Sequence, residues 1–311
     1  MAFYRALGTG MVISADSPID DKVRSAMESL IEDYEHVLSR FRNDSLIAAI
    51  GKAEHGGSFD FPDWCAPLFD LYDALFSATS GAIDPCVGED LIRLGYDASL
   101  SFTVTQDAPE HLGALRGRAV WGRDVTRHGT TLVTHEPVQL DFGACGKGYL
   151  VDLLGRMLQS SQFVIDAGGD LLIHAEQPIS VALEDPEDQS HAIGIAHIAN
   201  GALCASAPSR RHWNVAVNER TQIAIHHLLN AIDGLPAQQT EASWAYVPAN
   251  ATLNLARDYP TVVADGLATA LFVSDVAQLQ RTFDFTYATL DESRQIAVSR
   301  NFPAELFLRS A

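Results

Sequence analysis

Phe163-Val164-Ile165-Asp166-Ala167-Gly168-Gly169-Asp170-Leu171-Leu172-Ile173-His174 reads as strand, tight turn, strand. Two apolar runs flank a Gly-Gly pair, and glycine accepts the left-handed backbone that a short hairpin loop demands. Strands joined by so short a turn pair antiparallel. Working outward, further strands are expected at 179–183, 192–198 and 213–217. Short strands and hairpins are expected upstream at 119–121, 124–127 and 130–134, and the last strands at 284–290 and 295–299. Helical spacing governs other stretches: Val23, Met27, Leu30, Ile31, Tyr34, Leu38 and Phe41 form one stripe, begun by Ser17-Pro18-Ile19-Asp20 with Ser17 as cap. A second helix is expected from Pro62 to near Gly81, and others over 149–158 and 264–273. Strands in runs and helices in blocks predict an α+β fold of largely antiparallel sheets with packed helices, and exclude a regular βαβ alternation.

The chain has 311 residues, 47% apolar and 20% charged, which is the composition of a globular protein. No repeat or low-complexity linker interrupts it, so 1–311 is expected to be one unit, with 276–311 adding strands that complete the sheet. The formal net charge is −19 at pH 7. Such a field repels phosphate backbones and anionic membrane surfaces, so no nucleic-acid partner is expected. No run approaches the roughly 18 apolar residues of a membrane span. The opening Met1–Ala15 stretch imitates a short signal peptide, but Gly8, Thr9 and Gly10 break it and it reads better as a first strand. Cys65, Cys86, Cys145 and Cys204 are spread without a CxxC pair, which fits free thiols in the cytoplasm.

Five segments carry residues suited to chemistry. In Val263-Ala264-Asp265-Gly266-Leu267-Ala268-Thr269-Ala270, Asp265 and Thr269 stand four apart on one helical face. A carboxylate and a hydroxyl together suit a hard divalent ion bridging a diphosphate; an acid in a first turn beside a threonine that simply packs is the plainer alternative. Leu140-Asp141-Phe142-Gly143-Ala144-Cys145-Gly146-Lys147-Gly148 has glycines that admit a ligand close to backbone and a lysine charge, with the spacing of neither a P-loop nor a dinucleotide fingerprint. A tight strand-to-helix turn with a solvated lysine explains it equally. His226-His227 offers a general base near neutral pH, and alternation on a strand points only one of the two toward a site. For Gly81-Ala82-Ile83-Asp84-Pro85 and Ala167-Gly168-Gly169-Asp170, turn chemistry alone accounts for the glycines and acids.

Taken in order, these segments resemble the ApbE-type flavin transferases (FAD:protein FMN transferases, formerly called thiamine biosynthesis lipoproteins), whose architecture is related to the T-fold. The match runs from Leu7-Gly8-Thr9 through Ser39-Arg40-Phe41-Arg42-Asn43-Asp44-Ser45 and Ala82-Ile83-Asp84-Pro85 to the 140–152 segment. It continues with Gly168-Gly169-Asp170, Glu184-Asp185-Pro186, His227-Leu228-Leu229 and 264–271, covering about 5–275. The resemblance implies an enzyme that binds FAD with Mg²⁺ and moves FMN onto a threonine hydroxyl of a target flavoprotein, releasing AMP. It implies metal ligands at Asp265, Thr269 and the carbonyls of Ala144 and Ala268. It implies FAD contacts from Asp141, Lys147, Asp84, His227 and the Ala82 and Ile83 backbone. His227 is then the expected base, with an aspartate beside the metal, Asp265, as its rival in the catalytic set.

Three departures from the family pattern stand out. Met-Gly-Thr becomes Leu7-Gly8-Thr9, His-Ile-Ile-Asp-Pro becomes His227-Leu228-Leu229-Asn230-Ala231, and Thr-Ser-Gly becomes Ala205-Ser206-Ala207. Family members often carry an export signal, which would make the protein periplasmic if the sequence is truncated. Two other activities fit the same pocket: an FAD pyrophosphatase giving FMN and AMP, and an FAD-binding protein with weakened catalysis.

Overall fold

A computed structural model of the chain describes residues 1–218 and 221–307; the parts of the expected 1–311 unit at 219–220 and 308–311 lie outside the described residues. The quoted hairpin is at the centre of a nine-stranded sheet. In order across it run Ala2–Ala6, Thr9–Ala15, Phe163–Asp166, Asp170–Glu184, Ala192–Ser206, Thr240–Pro248, Thr286–Asp291 and Ile296–Val298, while Ala304–Leu306 pairs with Ala192–Ser206. Every pairing is antiparallel. In the central hairpin Ile165 faces Leu172, and Gly168 and Gly169 take φ of 69° and 106°. Asp166 Oδ1 accepts the amide hydrogens of Gly168 (2.9 Å) and Gly169 (3.3 Å), which fixes the turn.

Several expected boundaries move, each for a physical reason. The separate strands 171–174 and 179–183 are one strand, Asp170–Glu184. Its register jumps from His174 opposite Asn200 to Ile179 opposite Ile198, and the irregularity takes up Pro178, which has no amide hydrogen for the ladder. The stretch 119–121 contributes only a bridge between Trp121 and Val125. Residues 2–15 form two strands rather than one, because Leu7 and Gly8 turn with positive φ. The first long helix is Asp21–Leu38, capped by Asp20, whose Oδ1 accepts Lys22 N–H at 2.7 Å; Ser17 instead meets Ser160. A short helix, Val276–Leu279, precedes the last three strands.

Two buried helices position the site, Gly146–Gly155 and Pro260–Ala270. Both start earlier than their apolar periodicity alone indicated. Pro260 suits a first helical turn, and the buried Asp152 carboxylate caps that turn from the neighbouring helix, accepting Thr261 N–H (3.0 Å) and Val262 N–H (2.8 Å). The helices cross so closely that a Cβ at Gly148 would lie 2.4 Å from Thr261 O. Pro260–Ala270 lies against the strands Ala192–Ser206 and Thr240–Pro248. A large apolar core containing Met27, Leu68, Phe69, Tyr149, Leu150 and Val262 encloses both helices, and a second cluster around Ile173, Leu183, Trp244 and Leu290 gathers along the long central strands. Among the described residues no helix is long and apolar enough to cross a membrane.

Candidate functional site

The close crossing at Gly148 brings the two helix N-terminal regions into contact. Gly148 N–H donates to Asp265 Oδ2 at 2.8 Å, so the backbone start of one helix holds the acid of the other. One turn further along, the Thr269 hydroxyl donates to Ala144 O at 3.1 Å. Asp265, Thr269 and the Ala144 carbonyl, three residues of the expected metal set, are thus tied to the same junction. The Ala268 carbonyl accepts from the buried Ser243 hydroxyl at 2.6 Å, which occupies one of its two lone pairs.

Lys147, expected as an FAD contact, is paired with Asp170. Asp170 is fully buried, and its Oδ1 accepts no hydrogen bond from a donor among the described residues. Burial first, and then the neighbouring Asp170 charge, raise Asp265 well above the usual carboxylate range; Lys147 and the Gly148 amide oppose the rise. For Lys147, burial acts to lower its pKa, but the Asp170 and Asp265 charges prevail and raise it. Two buried acids share one ammonium, so a second negative charge is unfavourable there until a further cation joins them.

His226 and His227 are held differently, and only His226 lies on the strand. His226 ends the strand Thr221–His226 and is engaged internally, with Nε2 2.7 Å from Ala237 O and Nδ1 accepting Leu228 N–H at 3.3 Å. His227 follows the strand, and its Nδ1 lies 3.1 Å from Arg211 O. A carbonyl only accepts, so Nδ1 carries the hydrogen and Nε2 keeps its lone pair. Burial lowers the His227 pKa to about 4, so the ring is neutral near pH 7. Arg211 in turn reaches the Leu7-Gly8 turn, 3.4 Å from Gly8 O.

Asp141 is held by Arg40 and also accepts Gly143 N–H at 2.5 Å. Arg40 continues to Tyr96 O at 2.5 Å, with its guanidinium 4.1 Å from the Phe41 ring centre and 4.6 Å from that of Tyr96. Asp84 is buried, and its carboxylate is already committed: it accepts Cys86 N–H (2.8 Å), is met by Trp121 N–H at 3.3 Å and faces Arg118. Burial raises its pKa. It braces the loop, whose Ile83 amide is fixed by Thr79 Oγ1 at 3.0 Å and whose Ala82 carbonyl accepts Ala231 N–H at 3.0 Å.

The departures in sequence are absorbed locally. Asn230 Oδ1 accepts Ile232 N–H at 3.0 Å, a turn bond that an aspartate oxygen would also make. Ala207 is extended (φ −151°, ψ 139°), a conformation that needs no glycine. Asp170 and Arg40 went unassigned from the sequence: turn chemistry accounted for one and nothing singled out the other. The cue available for Asp170 was an acid placed at the start of an otherwise apolar strand.

Residues 7–289 match the family model described as "ApbE family". The chain belongs to the ApbE family. A curated relative is the FAD:protein FMN transferase of Treponema pallidum (strain Nichols), 27% identical over 286 residues, covering 81% of this chain and 72% of that protein. Among solved structures, an ApbE protein from Thermotoga maritima superposes with a TM-score of 0.79 at 20% identity, covering 98% of this chain and 99% of that one. The flavin transferase ApbE from Vibrio cholerae gives 0.76 at 17% identity over 97% of each chain. The α+β, largely antiparallel architecture is therefore that of ApbE structures.

Proposed function

We propose that this chain is a Mg²⁺-dependent FAD:protein FMN transferase that moves FMN from FAD onto a threonine hydroxyl of a target protein and releases AMP. Membership of the ApbE family and the curated relative's activity support the transferase reading. The observation that carries the metal dependence is the junction of Asp265, Thr269 and Ala144 O beside the unpartnered Asp170 oxygen. These donors are all oxygens, the preference of a hard divalent ion, and such an ion would favour ionisation of the Asp265 carboxyl, which burial and Asp170 disfavour. The fit supports Asp265, Thr269 and Ala144 O as ligands, with Ala268 O placed one residue away. When bound, the ion would neutralise charge on the FAD diphosphate.

The remaining work falls to the protein. The threonine oxygen forms a bond to the FMN phosphorus while the bond to the AMP oxygen breaks, and the hydroxyl proton leaves. His227 is the residue we assign to that proton, because Nδ1–H is anchored and Nε2 has no hydrogen-bond partner among the described residues. A base of pKa about 4 is weak, but phosphoryl transfer through a loose transition state relies more on positioning and charge than on proton abstraction. The Ala82–Ile83 backbone, Asp141 oriented by Arg40, and Lys147 anchored on Asp170 are the proposed nucleotide contacts.

The test is mass spectrometry of the full chain incubated with FAD, MgCl₂ and a candidate acceptor protein. An FMN phosphoester on an acceptor threonine, dependent on Mg²⁺, is expected. AMP and free FMN without an adduct would instead establish hydrolysis, and intact FAD would establish binding alone.

A further inference from the structure

The fully buried Arg118 guanidinium meets one expected FAD contact, Asp84, and joins three segments of the site. Its Nη2 donates to Ala231 O at 2.7 Å, and one Nη1 faces both Ala119 O and Asp84 Oδ2. Its Nε lies 2.8 Å from Asp90 Oδ2, without the alignment of a hydrogen bond. Asp90 Oδ1 in turn accepts Gly113 N–H at 2.8 Å. Ala231 belongs to the short hairpin that leaves His227, where Leu229 pairs with Pro236, and its own amide donates to Ala82 O at 3.0 Å.

We propose that Arg118 is a positioning residue: by clamping the 227–236 hairpin to the Ala82–Ile83 backbone, it sets where the His227 imidazole meets the flavin nucleotide. This rests on the transferase reading given above. Only a planar fork reaches Ala231 O, Asp84 and Asp90 at once; an ammonium carries the same charge from a single point. The clamp also gives a reason for alanine where the family has proline. Residue 231 needs an amide hydrogen to reach Ala82 O, and proline has none.

The test compares the full chain with Arg118→Met and Arg118→Lys, using histidine-labelled NMR titration, amide exchange at Ala231 and FAD titration with Mg²⁺. In the unaltered chain His227 is expected to stay neutral down to about pH 4, with His226, Arg211 and Asp141 as the charged or titratable groups near it. In Arg118→Met the hairpin loosens. His227 then titrates nearer the ordinary value of about 6.5, Ala231 exchanges faster, and FAD affinity falls roughly tenfold, the worth of about one hydrogen bond. Arg118→Lys recovers part of each change. Should Arg118→Met fail to fold, Arg118→Lys carries the same readings. A cooperatively folded variant whose His227 titration and Ala231 exchange match the unaltered chain would overturn the inference. FAD left intact by the unaltered chain would overturn the transferase reading instead, while the titration and exchange would still decide the role of Arg118.

Discussion

Replacing Gly148 by alanine tests the helix crossing that holds Asp265. The new Cβ would stand 2.4 Å from Thr261 O and 2.7 Å from Asp265 Cβ. Thr261 O is backbone in a buried helix and cannot swing aside, so the helices must separate. Overpacking of this kind costs up to about 3 kcal/mol, and exchanging glycine for alanine in a helix returns about 1, which leaves a net loss of about 2 kcal/mol. At about 2–4 °C per kcal/mol, the melting temperature should fall by about 4–8 °C. Gly266→Ala is the control. Its Cβ meets Leu75 Cδ1 at 2.8 Å, the end of a side chain that can rotate, so the net change should stay within about 1 kcal/mol. Thermal melts of the metal-free proteins at one pH, followed by FAD titration with Mg²⁺, read both consequences. Gly148→Ala should be the less stable of the two and the weaker in Mg²⁺-dependent FAD binding. If Gly148→Ala melts with the unaltered chain while Gly266→Ala does not, the crossing does not hold Asp265 as described.

Asp265→Asn retains an oxygen for Gly148 N–H but loses the negative charge, so it should fold normally and lose Mg²⁺-dependent FAD turnover; chromatographic assay of AMP with circular dichroism checks both. His227→Ala should slow FMN transfer more than it weakens FAD binding, and an equal loss in rate and affinity would make His227 a binding residue only. Asp152 is raised by burial to about 7, so the native chain keeps a proton that the unfolded chain loses between about pH 4 and 7. The stability it contributes is fullest below that window and declines as pH rises through it. The melting temperature of the unaltered chain minus that of Asp152→Asn should therefore shrink from pH 5 to pH 8, and a growing difference would refute the assignment.

The segments legible in the sequence were those in which local pattern and final environment agree. The Gly168-Gly169 hairpin needs only its own backbone chemistry. The Met27, Ile31, Tyr34 and Leu38 stripe is buried as its spacing implies. Asp265 and Thr269 share a face because four residues make about one turn. What stayed hidden depends on partners far along the chain. Asp20 rather than Ser17 caps the first long helix, a choice made by where the chain enters the fold. Asp170 becomes a site residue only when Lys147, 23 residues away, is folded against it. Arg40 meets Asp141 across 101 residues, and Arg118 meets Ala231 across 113. No local spacing encodes such pairs. Strand continuity across Pro178 was hidden for a related reason, since the neighbouring strand supplies the register shift that accommodates it.

The most direct test is anomalous diffraction from crystals of the full chain grown with FAD and Mn²⁺ in place of Mg²⁺. A peak is expected within bonding distance of Asp265, the Thr269 hydroxyl and Ala144 O, with the diphosphate on its open side. A manganese peak elsewhere, or FAD bound with no ion at that junction, would contradict that expectation.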